Sequence, residues 1–162
     1  MSELDSYPWP KAENFDFTDD IKELAEAGVV YRASGLWSPF FHHVANMFGM
    51  EEYFIKMFTV PDVVHEVTKR SVNHYLEGTE RFFQESGDNV DAFFFGNDFG
   101  TQLDLLVAPD QFEEFIFPYF KQLTDLAHKY NKHVFLHSCG SIYKVIPRLI
   151  DLGVEVLHPL QA

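Results

Sequence analysis

The sequence predicts an α/β fold that forms about half of a (β/α)8 TIM barrel, with its strands parallel. Short apolar runs alternate with longer stretches whose apolar residues recur every three or four positions, giving the order β, α, β, α, β, α, β. Roughly four such units in about 135 residues match the spacing of a barrel that normally needs about 250 residues. A doubly wound domain is the alternative, but the chain contains neither of the glycine-rich phosphate-binding motifs, GxGxxG and GxxxxGK[ST]. We therefore expect residues 1–162 to form a single incomplete barrel domain.

The first half of the chain supplies an entry segment, one strand and the longest helix. Residues 1–28 read as a proline-containing arm followed by a short helix, and residues 29–33 as the first strand. Two short helices separated near Gly49 come next. The long helix begins with Pro61 in its first turn and ends before Gly87, a pattern typical of helix boundaries.

The second half repeats the strand and helix pattern. Residues 90–96 form a continuous apolar run that is too short for a helix and is typical of a buried parallel strand. A helix over residues 108–132 follows, and we expect Pro118 to kink it or divide it. The strand at residues 133–137, a helix over residues 141–153 and a last strand at residues 154–161 complete the pattern.

The composition excludes several classes of function. Twenty-five acidic against twelve basic side chains give a formal charge of -13, which repels both nucleic acids and anionic lipids. No signal peptide and no apolar run of about 18 residues is present, so we expect a cytoplasmic protein with no membrane partner. The single cysteine excludes an intrachain disulfide and agrees with a reducing compartment.

Polar residues follow the apolar run of each predicted strand. In a parallel barrel the chemistry lies where strands end and loops begin, so these segments should meet at one rim. The four segments are Arg32–Gly35, Gly96–Gln102, His137–Gly140 and His158–Gln161.

His137 and Cys139 allow two interpretations. An imidazole nitrogen and a thiolate sulfur both suit Zn²⁺, and two residues in i, i+2 positions at a strand end can both face the barrel mouth. Alternatively, Cys139 is a small buried apolar residue and His137 a hydrogen-bonded core residue. The two residues alone leave both interpretations open.

The remaining candidates at the rim are one acidic residue and several polar neighbours. Asp98 would bind substrate, orient a ligand or cap the following turn, and Asn97 is the second candidate catalytic residue. Arg32 would pair with a substrate carboxylate or form a salt bridge at the rim. Gln102 and Gln161 complete the candidate substrate-binding set.

Taken together, the segments NDFGTQ, FEEFIFPYFKQLTDLAHKYNKHVFLHSCGSI and LIDLGVEVLHPLQ resemble the uroporphyrinogen decarboxylase superfamily, and specifically its corrinoid-linked methyltransferase branch. The similarity runs with consistent spacing from about residue 29 to residue 161. Members of this superfamily are (β/α)8 barrels roughly twice the length of this chain, so the resemblance also implies a partial barrel.

The resemblance implies a cofactor and partners. Thiol-methylating members bind zinc through a His-x-Cys pair, which matches His137 and Cys139, and through a second cysteine near the C-terminus, which has no counterpart here. The third protein ligand is therefore expected outside this chain. Such a protein would transfer a methyl group between methylcobalamin on a partner corrinoid protein and a small-molecule acceptor such as a thiol, with Asp98 and Asn97 lining the mouth.

Two other functions are compatible with the sequence. The decarboxylases of the superfamily remove carboxyl groups from porphyrinogen acetate side chains without a metal. This chain lacks their arginine-rich N-terminal segment and the segment with their substrate-binding aspartate, and it carries an HxCG sequence that they do not usually have. A non-catalytic fragment is the third reading, in which the unpaired strand edges favour a homo-oligomer.

Overall fold

A computed structural model describes residues 2–160 and shows a four-stranded parallel sheet. The strands lie in sequence order, so each one pairs with the next along the chain. They are β1 (Ala33–Ser34), β2 (Ala92–Gly96), β3 (His133–His137) and β4 (Val156–His158). Sequential parallel order is the strand order of a (β/α)8 barrel, and it confirms the predicted partial-barrel fold.

Helices connect the strands and cover one face of the sheet. The α-helices are α1 (Ser2–Ser6), α2 (Thr18–Glu26), α3 (Phe40–Phe48), α4 (Met50–Thr59), α5 (Pro61–Ser86), α6 (Pro109–Phe115), α7 (Phe117–Lys129) and α8 (Ile146–Asp151). Short 3-10 helices lie at Ala12–Asn14, Gly87–Asn89 and Tyr143–Val145. Within the described residues, no helix combines the length and the apolarity that crossing a membrane requires.

The long helix α5 forms as its sequence predicts. Pro61 occupies the first turn, where its missing N–H has no helical partner to lose. At the other end, Gly87 has a φ of 54°, a conformation that glycine adopts at little cost and that ends the helix. The buried residues of α5 recur at three- and four-residue steps, so one face of the helix packs against the core.

The core lies between the sheet and its helices and is built from phenylalanines. Phe93 and Phe95 of β2 are fully buried and point towards the helices. Phe93 meets Phe83 of α5 with a ring-centroid distance of 5.6 Å, and Phe95 meets Phe120 of α7 at 5.2 Å. Phe94 points to the opposite face, which would be the interior of a closed barrel and here remains partly exposed.

The first strand differs from its prediction. Residues 29–33 read as a strand, but Val29, Val30 and Tyr31 are more than half exposed and lie outside the sheet. Only Ala33 and Ser34 pair with β2, and the backbone N–H of Arg32, just before them, donates to the Asp91 carboxylate at 2.8 Å. An apolar run predicts a strand only where a neighbouring strand can pair with it.

Other boundaries shift by a few residues. The helix predicted over residues 141–153 is a 3-10 turn followed by the short α8, and the last strand ends at His158. The helix predicted over residues 108–132 is divided as expected: Ile116 separates α6 from α7, and Pro118 lies in the first turn of α7.

Candidate metal centre

Asp98, His137 and Cys139 form a compact cluster at the carboxyl edge of the sheet. His137 is the last residue of β3, Cys139 lies two residues beyond it, and Asp98 lies two residues beyond the end of β2. Gly96 and His137 are direct partners in the sheet, so the two strands end side by side. One ligand atom from each of the three residues lies within 4.8 Å of the others, and all three residues are partly buried. The structure therefore brings these three predicted residues together at the carboxyl edge of the sheet.

The spacing of the three ligand atoms suits a tetrahedral zinc ion. Ordinary Zn–S and Zn–N bond lengths place sulfur and nitrogen about 3.6 Å apart at a tetrahedral angle, and nitrogen and oxygen about 3.3 Å apart. In the structure, Cys139 Sγ lies 3.3 Å from His137 Nε2, and Asp98 Oδ1 lies 3.5 Å from the same nitrogen. A sulfur, a nitrogen and an oxygen ligand on two adjacent strand ends of one rim leave a fourth position open, as in catalytic zinc sites.

The backbone fixes the loop that carries Cys139. Its N–H donates to Asp98 Oδ1 at 2.8 Å, which ties the β3 loop to the β2 loop. Behind this contact, Gly140 has a φ of 85° and packs against Gly100, where an added Cβ would lie 2.3 Å from the carbonyl carbon and oxygen. Only glycine at position 140 allows so close an approach of the two loops.

Without a metal, the surroundings of Cys139 disfavour its thiolate. Desolvation raises its pKa above the usual range, and the negative charge of Asp98 and a hydrogen bond to it raise this pKa further. A cation bound between the two groups would reverse the effect of the carboxylate, because it would neutralise the charge that disfavours the thiolate.

Three aromatic side chains outside the set of candidate site residues surround the cluster. His158 of β4 lies with its Nδ1 3.0 Å from Nδ1 of His137. Trp37 lies on another side of His137, with a ring-centroid distance of 5.4 Å, and its ring crosses over Gly96. His42 of α3 forms a 2.7 Å hydrogen bond to the backbone carbonyl of Asp98. The only sequence signal for His158 was its place at a strand end. Trp37 and His42 follow β1, and their approach to the cluster depends on the conformation of the loop between β1 and α3.

Asn97 holds the loop before α3 in place. Its side chain is buried, accepts a hydrogen bond from the Phe41 N–H and donates one to the Ser38 carbonyl, both at 3.0 Å. Its own N–H donates to the His137 carbonyl at 3.0 Å. These contacts use the side-chain amide to hold the fold together. A catalytic role for Asn97 remains a prediction.

Comparison with known proteins identifies the family. The uroporphyrinogen decarboxylase (URO-D) family model matches residues 22–159, which is most of the chain. The chain belongs to the uroporphyrinogen decarboxylase family. A solved structure described as a methyltransferase from Methanosarcina mazei is similar to this URO-D chain with a TM-score of 0.66 and 18% sequence identity. The similarity covers 85% of this chain and 39% of that one, so the URO-D chain spans about two fifths of the neighbour's length. No curated protein matches the chain.

Of the other predicted site residues of this URO-D chain, Arg32 lies apart from the cluster. Arg32 precedes β1 at the opposite, amino-terminal edge of the sheet, so the prediction that it lies on the same rim was wrong. Its guanidinium bonds to Asp91 at 3.3 Å and to the Asp88 carbonyl at 2.9 Å. Gln102 is exposed in the loop after β2, and Gln161 lies outside the described residues. Substrate binding by these three residues stays a prediction.

Proposed function

We propose that this chain is part of a zinc-dependent methyltransferase, which transfers a methyl group from a methylated corrinoid protein to a thiol. The observation that carries the proposal is the cluster of Asp98, His137 and Cys139 at the carboxyl edge of the sheet, with distances that suit zinc. Family membership supports the position of the site, because (β/α)8 enzymes place their chemistry at this edge. The solved structure with a similar fold is called a methyltransferase, which agrees with this choice of reaction.

His137 and Cys139 would bind the ion as a nitrogen and a sulfur ligand, and Asp98 is the candidate third ligand from within the chain. The resemblance implied a third ligand outside the chain, and Asp98 offers one here through the carboxylate that lies 3.5 Å from His137 Nε2. A zinc ion held by these three residues would act as a Lewis acid and lower the pKa of a coordinating substrate thiol, which would favour the thiolate.

The chain's own residues give the site its shape. The Cys139 N–H fixes one oxygen of Asp98, so the carboxylate faces the thiol and the imidazole. Trp37 covers Gly96 beside the cluster and supplies an apolar wall to the mouth of the site. In the proposed reaction the sulfur of the acceptor forms a bond to the methyl carbon while the cobalt–carbon bond breaks. Cobalt keeps the electron pair of that bond, and the thiol proton passes to water.

The test is zinc-dependent demethylation of free methylcobalamin by a small thiol such as 2-mercaptoethanol. We expect the zinc-loaded chain to accelerate the loss of the methylcobalamin absorbance and to form the methyl thioether, which mass spectrometry detects. Cys139→Ser and His137→Ala should abolish the acceleration, whereas His128→Ala, a matched change on the exposed surface of α7, should retain it. Equal rates with and without zinc, or full activity of Cys139→Ser, would contradict the proposal. Metal-independent release of CO2 from a porphyrinogen would favour decarboxylation instead.

A further inference from the structure

We propose that His158 is a positioning residue that holds His137 in the orientation and tautomer required for metal binding. The inference rests on the proposed metal site. It adds His158, which is not one of the candidate metal ligands. His137 and His158 are direct partners across β3 and β4, so both side chains leave the same face of the sheet. Their Nδ1 atoms lie 3.0 Å apart, which is a hydrogen-bond distance.

The contact fixes where the proton of His137 lies. Between two imidazole nitrogens at this distance one nitrogen must donate a proton and the other must accept it. A nitrogen that binds a metal carries no proton, so Nε2 of His137, which faces Cys139 Sγ at 3.3 Å, has to be the free one. Nδ1 of His137 is then the donor, and Nδ1 of His158 is the acceptor. His158 carries its own proton on Nε2.

The surroundings of His158 make it a defined acceptor. Its ring is exposed on one side and meets Phe94 on the other, at a centroid distance of 5.8 Å and an interplanar angle of 86°. Its backbone carbonyl accepts the Ser138 N–H at 2.9 Å, so β4 is also tied to the loop that carries Cys139. Histidine ligands of metals generally donate their second N–H to a neighbouring acceptor, and removal of that acceptor weakens metal binding about 10- to 100-fold.

Two substitutions separate hydrogen bonding from packing. His158→Phe keeps an aromatic ring against Phe94 but removes the acceptor, whereas His158→Asn loses the ring and places an amide oxygen close to the position of Nδ1. In titrations of the full chain with Co²⁺, we expect His158→Phe to raise the dissociation constant about 10- to 100-fold and His158→Asn to stay close to wild type. The thiolate-to-cobalt absorption should be present in all three proteins at saturation, because Cys139 remains a ligand.

Nitrogen-15 NMR of the histidine rings in the chelator-treated chain tests the same contact without a metal. We expect His137 to be the Nδ1–H tautomer in wild type and in His158→Asn, and to lose this preference in His158→Phe. A His158→Phe variant that binds Co²⁺ as tightly as wild type, or an Nε2–H tautomer of His137 in wild type, would overturn the proposal. A change in the ligand-field bands of His158→Phe that indicates a lost ligand would also overturn it, since His158 would then bind the metal directly. If wild type binds no Co²⁺, the proposed metal site fails, while the NMR result decides the positioning contact separately.

Discussion

Replacement of Asn97 by alanine should lower the free energy of unfolding, whether or not it also affects a reaction. The side chain of Asn97 is 1% exposed, and its amide pairs with the Phe41 N–H and the Ser38 carbonyl, each at 3.0 Å. Alanine would leave the Phe41 N–H without its partner, while the Ser38 carbonyl would keep the hydrogen bond that it accepts from the Phe40 N–H at 2.9 Å. One unsatisfied buried group costs about 1–3 kcal/mol, so the free energy of unfolding should fall by about that amount.

The assay is equilibrium unfolding in urea, followed by circular dichroism. With a urea dependence of about 2 kcal/mol per molar, the midpoint should fall by about 0.5–1.5 M. Asn73→Ala is the matched control, because Asn73 is exposed on α5 and alanine is the better helix former, so its midpoint should stay the same or rise slightly. If Asn97→Ala unfolds at the same urea concentration as the control, the hydrogen bonds of Asn97 do not hold the loop before α3. The catalytic prediction for Asn97 would then gain support.

Three further predictions follow from the site and its supports. In chelator-treated protein, Asp98→Asn should speed alkylation of Cys139 at pH 8 by about three- to fivefold, because loss of the negative charge lowers the thiol pKa; an unchanged rate would contradict this. Gly140→Ala should lower the melting temperature clearly more than Gly49→Ala, since both have a φ of 85° but only an added Cβ at Gly140 meets neighbouring backbone; equal shifts would refute the reasoning. A hydrogen bond from a backbone N–H lowers the pKa of Asp91, so its stabilising contribution is present above about pH 4 and is lost as the pH falls through the lowered pKa. Urea midpoints between pH 7 and pH 3 should therefore fall less steeply in Asp91→Asn than in wild type.

Much of the fold could be predicted from the sequence because the apolar periodicity is strong. The long helix α5 and the strand at β3 formed where their patterns indicated, since local propensity and burial agree there. The first strand was misplaced, because Val29–Tyr31 has strand composition but no neighbour in the sheet. Sequence patterns describe the propensity of a segment, while pairing depends on which other segments are near it.

The candidate site was predicted in part, for a related reason. Strand ends in a parallel sheet converge, so Asp98, His137 and Cys139 were expected on one rim before their distances were known. The side-chain contact between His137 and His158 depends on the register of β3 against β4, which the sequence does not specify. The structural role of Asn97 depends on a loop that is distant in sequence, so only coordinates could show it.

The binding of zinc by Asp98, His137 and Cys139 is the central claim, and elemental analysis of the zinc-loaded, desalted chain tests it most directly. We predict about one zinc ion per wild-type chain, with almost none retained by Cys139→Ser or His137→Ala and full retention by His128→Ala. A wild-type chain without zinc, or a Cys139→Ser chain that retains as much zinc as wild type, would contradict the account.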